Sequence, residues 1–124
     1  MITEDYVCFE TAKLLKEKGF DEFTISFYDK NGSIGFNEVD TRVSDGYQRP
    51  TLQMAMRWLR EIHGVFIAIY IVPNTTITME QRYYFFKLYK NRRIYNFPLD
   101  YSVQFYKTYE EACESAIKYC LSIV

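Results

Sequence analysis

The sequence predicts an α+β fold, with an antiparallel sheet of four to five strands and three helices mostly on one face, in the order α-β-β-α-β-β-(β)-α. Three observations lead there. Stretches 4–18, 51–63 and 108–122 carry apolar residues at helical spacing. Segment 23–36 alternates apolar and polar residues about an Asn31-Gly32 turn. The apolar run at 65–72 and the alternating stretch 82–90 read as a second strand pair. All 124 residues read as a single domain, 1–124.

In the first helix Cys8, Ala12 and Leu15 share one stripe. Thr3 is the expected N-cap, Glu4 and Asp5 suit the positive end of the helix dipole, and Gly19 suits the left-handed C′ position, with Phe20 folding back onto Leu15. In the hairpin Phe23, Ile25 and Phe27, continued by Ile34 and Phe36, read as the apolar face. The polar stretch 37–49 reads as a long loop.

Pro50 and Thr51 open the second helix, whose stripe is Leu52, Ala55, Met56, Leu59, Ile62 and His63, and Gly64 stops it. The run VFIAIYIV is apolar on both faces, which predicts an interior strand, ended by Pro73. In the next strand Tyr84, Phe86 and Leu88 are expected to face the helices, and Tyr83, Phe85, Lys87 and Tyr89 to face away. A basic turn and an irregular stretch occupy 91–100, and Val103 with Phe105 suggest a short fifth strand.

Thr108 and Glu111 have the spacing of a capping box at the last helix. Cys113, Ala116, Ile117, Cys120 and Val124 form its stripe, leaving Glu110, Glu111, Glu114 and Lys118 for solvent. The expected core includes Leu15, Phe27, Met56, Leu59, Ile67, Ile69, Phe86, Ile117 and Cys120. LLKEKGF and WLREIHGV, each followed by a hairpin, form a weak internal echo.

Composition bounds the function classes. The chain is 48% hydrophobic and 25% charged, a globular profile, and its twelve Tyr and ten Phe are an unusual aromatic load. Net charge is −1, without the cationic excess typical of nucleic-acid-binding domains. Cys8, Cys113 and Cys120 are odd in number, which argues against a disulfide scaffold. The acidic start MITEDYVCFE lacks the pattern of a signal peptide, and no apolar run is long enough for a transmembrane helix, so a cytoplasmic protein without membrane association is expected. The sequon Asn74-Thr75-Thr76 carries no meaning in that compartment.

Chemistry is hard to assemble from these residues. His63 is the one histidine, placed to bond the last carbonyls of its helix, and Glu61 lies on another helix face. Cys113 and Cys120 lie two turns apart, about 10 Å, too far for a disulfide. One histidine and no CxxC leave zinc without a ligand set. GSIG at 32–35 mimics a KH loop but sits in a hairpin, where KH domains join two helices. GxGxxG, P-loop and GxSxG motifs are lacking. No catalytic residue, metal or cofactor is expected, and the protein reads as a non-enzyme.

The stretch QRYYFFKLYKNRRIYNF carries Arg82, Lys87, Lys90, Arg92 and Arg93 among seven aromatics. Tyr83, Phe85, Lys87, Tyr89, Lys90, Arg92 and Arg93 are therefore the candidate interaction surface. Exposed aromatics in a row are covered in most soluble proteins, which points to a homodimer or a protein partner. The alternative is an accessory protein that holds single-stranded nucleic acid on hairpin 82–95, with bases on rings and phosphates on cations.

The helix 52–64, with Trp58-Leu59-Arg60-Glu61 and His63-Gly64, and the closing segment 105–121 together resemble a family of small uncharacterised proteins of gut bacteria and their phages. The resemblance covers about a quarter of the chain. It implies a phage or mobile-element context and transfers no functional residue.

Overall fold

The computed structural model describes residues 3–37, 45–72, 83–90 and 105–124, with the backbone of 93–94. Helix α1 spans Phe9–Glu17 and α2 Leu52–His63, while α3 spans Tyr109–Ile123. Local cap chemistry sets the ends of the last two. Thr51 Oγ1 accepts the Met54 N–H at 3.1 Å, and Gly64 closes α2 with a left-handed φ of 69°. Thr108 Oγ1 accepts the Glu111 N–H at 3.0 Å. Glu111 reaches back to the Lys107 N–H at 3.3 Å, one residue before the expected capping-box partner.

Helix α1 starts five residues later than the sequence predicts, and Thr3 is not its N-cap. The backbone of 5–7 is taken instead by the approach to α2. The Val7 N–H bonds Pro50 O at 3.0 Å, and the Leu52 N–H bonds Asp5 O at 2.9 Å. At the other end the expectation holds: Gly19 has φ 94°, and buried Phe20 sends its N–H to Leu15 O at 2.9 Å.

Among the described residues six strands form two antiparallel sheets. Strands β1 (Ser26–Tyr28), β2 (Ile34–Phe36) and β3 (Tyr47–Gln48) make the first, in order β2-β1-β3. Strands β4 (Val65–Ile71), β5 (Tyr84–Lys90) and β6 (Arg93–Ile94) make the second, in order β4-β5-β6. The α+β class and antiparallel pairing are as the sequence predicts, but the single sheet is divided in two. Both edges of β1 are occupied, by β2 and by β3, so it has no edge left for the second hairpin. Strand β3 lies in the stretch expected to be loop; residues 38–44 of that stretch lie outside the described residues.

The first turn also differs. Gly32 N–H bonds Asp29 O at 3.0 Å and Asp29 N–H bonds Ser33 O at 2.8 Å, which centres the turn on Lys30-Asn31. Gly32 follows at φ 87°, the arrangement of a turn plus a bulge in place of a two-residue turn. Asp29 Oδ1 ties it down by accepting from the Asn31 and Ser33 amides at 2.8 and 2.9 Å.

The hairpin buries the face expected to be polar. Thr24, Ser26 and Tyr28 are buried, whereas Phe36 is 71% exposed, Ile25 and Ile34 are also exposed, and Phe27 is half-buried. The hydroxyls of these three residues find partners, Ser26 Oγ accepting from Arg49 Nη1 at 3.1 Å, which offsets the cost of burying them. The Tyr28 hydroxyl donates to Val7 O at 2.6 Å, and Thr24 Oγ1 lies 2.7 Å from Gln48 Oε1 and 2.6 Å from Ser26 O. On the outer side the Phe27 ring covers Gly35, where an added Cβ would come within 2.5 Å of it.

Helices α2 and α3 pack on the second sheet, and α1 packs on β3 and α3. Leu15, Met56, Leu59, Ile117 and Cys120 are buried as expected, and Ile67, Ile69 and Phe86 are partly buried against them. Trp58 joins this core edge-on to Phe20 at 5.4 Å. Of the suggested fifth strand, Val103 lies outside the described residues. Tyr106 makes an isolated antiparallel bridge to Tyr84, with both backbone bonds at 2.8 Å. Among the described residues no helix is long and apolar enough to cross a membrane.

Candidate interaction surface

Strand β5 alternates as the sequence predicts. Leu88 is buried and Phe86 packs on the core, so Tyr83, Phe85, Lys87 and Tyr89 project from the opposite side of the sheet. The β4 register places Phe66 opposite Tyr89, Ala68 opposite Lys87, and Tyr70 opposite Phe85 on that outer side. Tyr70 and Phe85 stack at 5.3 Å with planes 21° apart. The Tyr70 and Tyr89 hydroxyls are 2.9 Å apart, and Lys87 Nζ lies 5.5 Å from the Tyr70 ring centre. The hydrogen bond with Tyr89, aided by partial desolvation, holds the Tyr70 phenol above its ordinary pKa. Phe105 extends the row, 6.3 Å from Phe85.

Much of this face is open: Phe66 is 54% exposed and Phe105 51%. Lys87 is the one charged side chain that β4 and β5 place on it.

The seven candidate residues do not form one patch. Tyr83, Phe85, Lys87 and Tyr89 share the outer face. Lys90 pairs with buried Val65 on the helix side, near enough to Cys120 to act on its thiol. The backbone of Arg93 pairs with Lys90, and Arg92, like Arg82, lies outside the described residues.

Phe66, Tyr70 and Phe105 are members of the face that sequence reasoning missed. The signal was present in VFIAIYIV, where the aromatics Phe66 and Tyr70 fall on even positions and Val65, Ile67, Ile69 and Ile71 on odd ones. Reading both faces as buried hid it, since among the described strands β4 lies at the edge of its sheet.

The remaining chemical candidates lie in or against the core. The His63 ring packs edge-on against Trp58 at 4.9 Å, and its buried Nε2 has no hydrogen-bond partner. Burial pushes the thiols of Cys113 and Cys120 up to about 11. Among the described residues no three His, Cys, Asp or Glu side chains are grouped to hold a metal.

The buried thiols have two measurable consequences. In a thiol-reagent titration at pH 8 the native protein is expected to expose at most Cys8, half-exposed beside α1, and to release all three thiols only on unfolding. In the fold Cys113 and Cys120 keep their protons to about pH 11, whereas in the unfolded chain they lose them near 9. The stabilisation is therefore complete below about pH 9 and is lost as pH rises towards 11. Urea midpoints should fall more steeply across that window in the wild type than in a Cys113→Ala, Cys120→Ala double variant. Equal slopes, or rapid native labelling of all three thiols, would contradict the burial.

Compared with known proteins, the chain matches no family model, no curated protein and no solved structure.

Proposed function

We propose that the chain is a non-enzymatic interaction module whose docking surface is the outer face of β4 and β5, taking a second copy or a protein partner. The observation that carries this reading is the open aromatic row of Phe66, Tyr70, Phe85, Tyr89 and Phe105, to which β4 and β5 add one charge, Lys87. Aromatic enrichment with few charges marks the buried centre of protein interfaces. A nucleic-acid surface needs several cations along the phosphate path, and Lys90 is turned to the other side of the sheet. A cytoplasmic setting and the phage or mobile-element context belong to the same reading, the latter resting on the helix resemblance alone.

Phe85→Glu tests it, because a carboxylate in the middle of the row is compatible with the monomer and hostile to a dry interface. Sedimentation of the wild type is expected to give an assembly larger than one chain, and Phe85→Glu a folded monomer. A wild type that sediments as a monomer and binds single-stranded DNA with a steep loss of affinity in salt would favour the nucleic-acid reading instead.

A further inference from the structure

Arg49, directly after β3, lays its side chain across the first sheet. Its N–H bonds Ser26 O at 3.2 Å, and Nη1 donates to Ser26 Oγ at 3.1 Å. The guanidinium carbon lies 4.0 Å from the Tyr6 ring centre and 5.5 Å from that of Tyr28. A guanidinium carries five N–H donors. Ser26 takes one of them, Nε is buried without a hydrogen-bond partner, and among the described residues no carboxylate forms an ion pair with Arg49. Ordering so long a side chain costs rotamer entropy, and a buried donor without an acceptor adds to the cost. Attraction to the two ring faces offsets part of this. Rings do not supply the in-plane oxygen acceptors that the guanidinium fork is shaped for.

The surroundings select the acceptor. Register sets Phe36 opposite Ser26 and Ile34 opposite Tyr28, so both share the face on which Arg49 lies. Phe36 is 71% exposed, Ile34 52% and Tyr6 39%. A single fixed cation beside open apolar groups matches a single negative charge on an apolar carrier, a carboxylate and not a phosphate dianion. Small-molecule sites enclose most of their ligand, whereas this strip is open, which suits a segment of protein. Arginine and tyrosine are also the side chains that anchor protein interfaces. We propose that Arg49 docks the carboxylate of an acidic side chain on a partner protein, carried next to an aromatic or aliphatic one. The carboxylate takes η donors that Ser26 leaves free, and its apolar neighbour covers Phe36 and Ile34. This contact lies on the first sheet, so it goes beyond the reading of the β4–β5 face and stands without it.

Phenylacetate is a minimal probe, with a carboxylate beside a ring, and phenylacetamide is its uncharged match in shape. In amide-resolved NMR spectra of the wild type, phenylacetate is expected to shift the Arg49 Nε–H signal and the backbone amides of Ser26 and Phe36. The shifts should saturate, and added salt should weaken them. Phenylacetamide should leave these signals in place, a comparison that needs no variant. Arg49→Gln, with its fold checked by the remaining amides, should lose the response to phenylacetate, whereas Phe85→Glu on the other sheet should keep it. No response of the wild type to phenylacetate, or an equal response to phenylacetamide, would overturn the proposal. An equal response to inorganic phosphate would make this a general anion site and overturn the acidic-partner assignment. Binding that appears only after Glu38→Gln and Asp40→Asn would show that the chain's own acids take the guanidinium, which also overturns it.

Discussion

Leu59→Ala is expected to lower the stability of the fold by about 2–5 kcal/mol. Leu59 is fully buried in α2, which packs on β4 and α3, so its side chain fills the centre of the core rather than a margin. Truncation removes apolar burial and leaves a cavity that rigid helix packing closes only in part. For a domain of this size the loss corresponds to a melting temperature lower by roughly 10–20 °C. Arg60→Ala on the exposed side of the same helix is the control, expected within about 0.5 kcal/mol of the wild type. Urea denaturation of the three proteins checks both values, and an unchanged midpoint for Leu59→Ala would place that residue outside the core.

The elements that the sequence made legible are those whose signals are local. Thr51, Gly64 and Thr108 act on amides and carbonyls within a turn of themselves, and α2 and α3 end where these residues say. The start of α1 was not legible, because Asp5 and Val7 give up helix for backbone bonds to Leu52 and Pro50, some 45 residues away. The hairpin misled for a different reason. Period-two apolarity names two faces without saying which meets the core, and here tertiary hydrogen bonds from Tyr28 and Thr24 outweigh the exposure of Ile25 and Phe36. Division into two sheets turned on β3, a two-residue strand inside a polar stretch, too short to show any period.

The candidate surface was half legible. Alternation within β5 placed Tyr83, Phe85, Lys87 and Tyr89 together, because strand geometry alone decides it. Lys90 was grouped with them by nearness in sequence and basic charge, and one step of the same alternation carries it to the other side. The contribution of β4 depends on pairing register, which links Phe66 to Tyr89 and Tyr70 to Phe85 and is not written in either strand by itself.

Glu114 provides the second large effect, and it is a residue that the helix pattern assigned to solvent. Helix α1 begins at Cys8 with no side-chain cap of its own. Its missing acceptor comes from α3: Glu114 Oε1 accepts the Cys8 N–H at 2.9 Å and the Thr11 hydroxyl at 2.6 Å. A carboxylate there also opposes the positive end of the α1 dipole. Thr11 is fully buried, so removing the acceptor strands a hydroxyl and an amide that water reaches poorly. Glu114→Ala is therefore expected to cost about 2–4 kcal/mol, more than an exposed helix glutamate ever contributes. Glu114→Gln keeps an oxygen acceptor without the charge and should lose only about 1 kcal/mol. Thr11→Val removes one stranded donor in advance, so in its background Glu114→Ala should cost less than it does alone. Strict additivity in that double-mutant cycle, or an Ala variant as stable as the wild type, would mean that Glu114 does not cap α1.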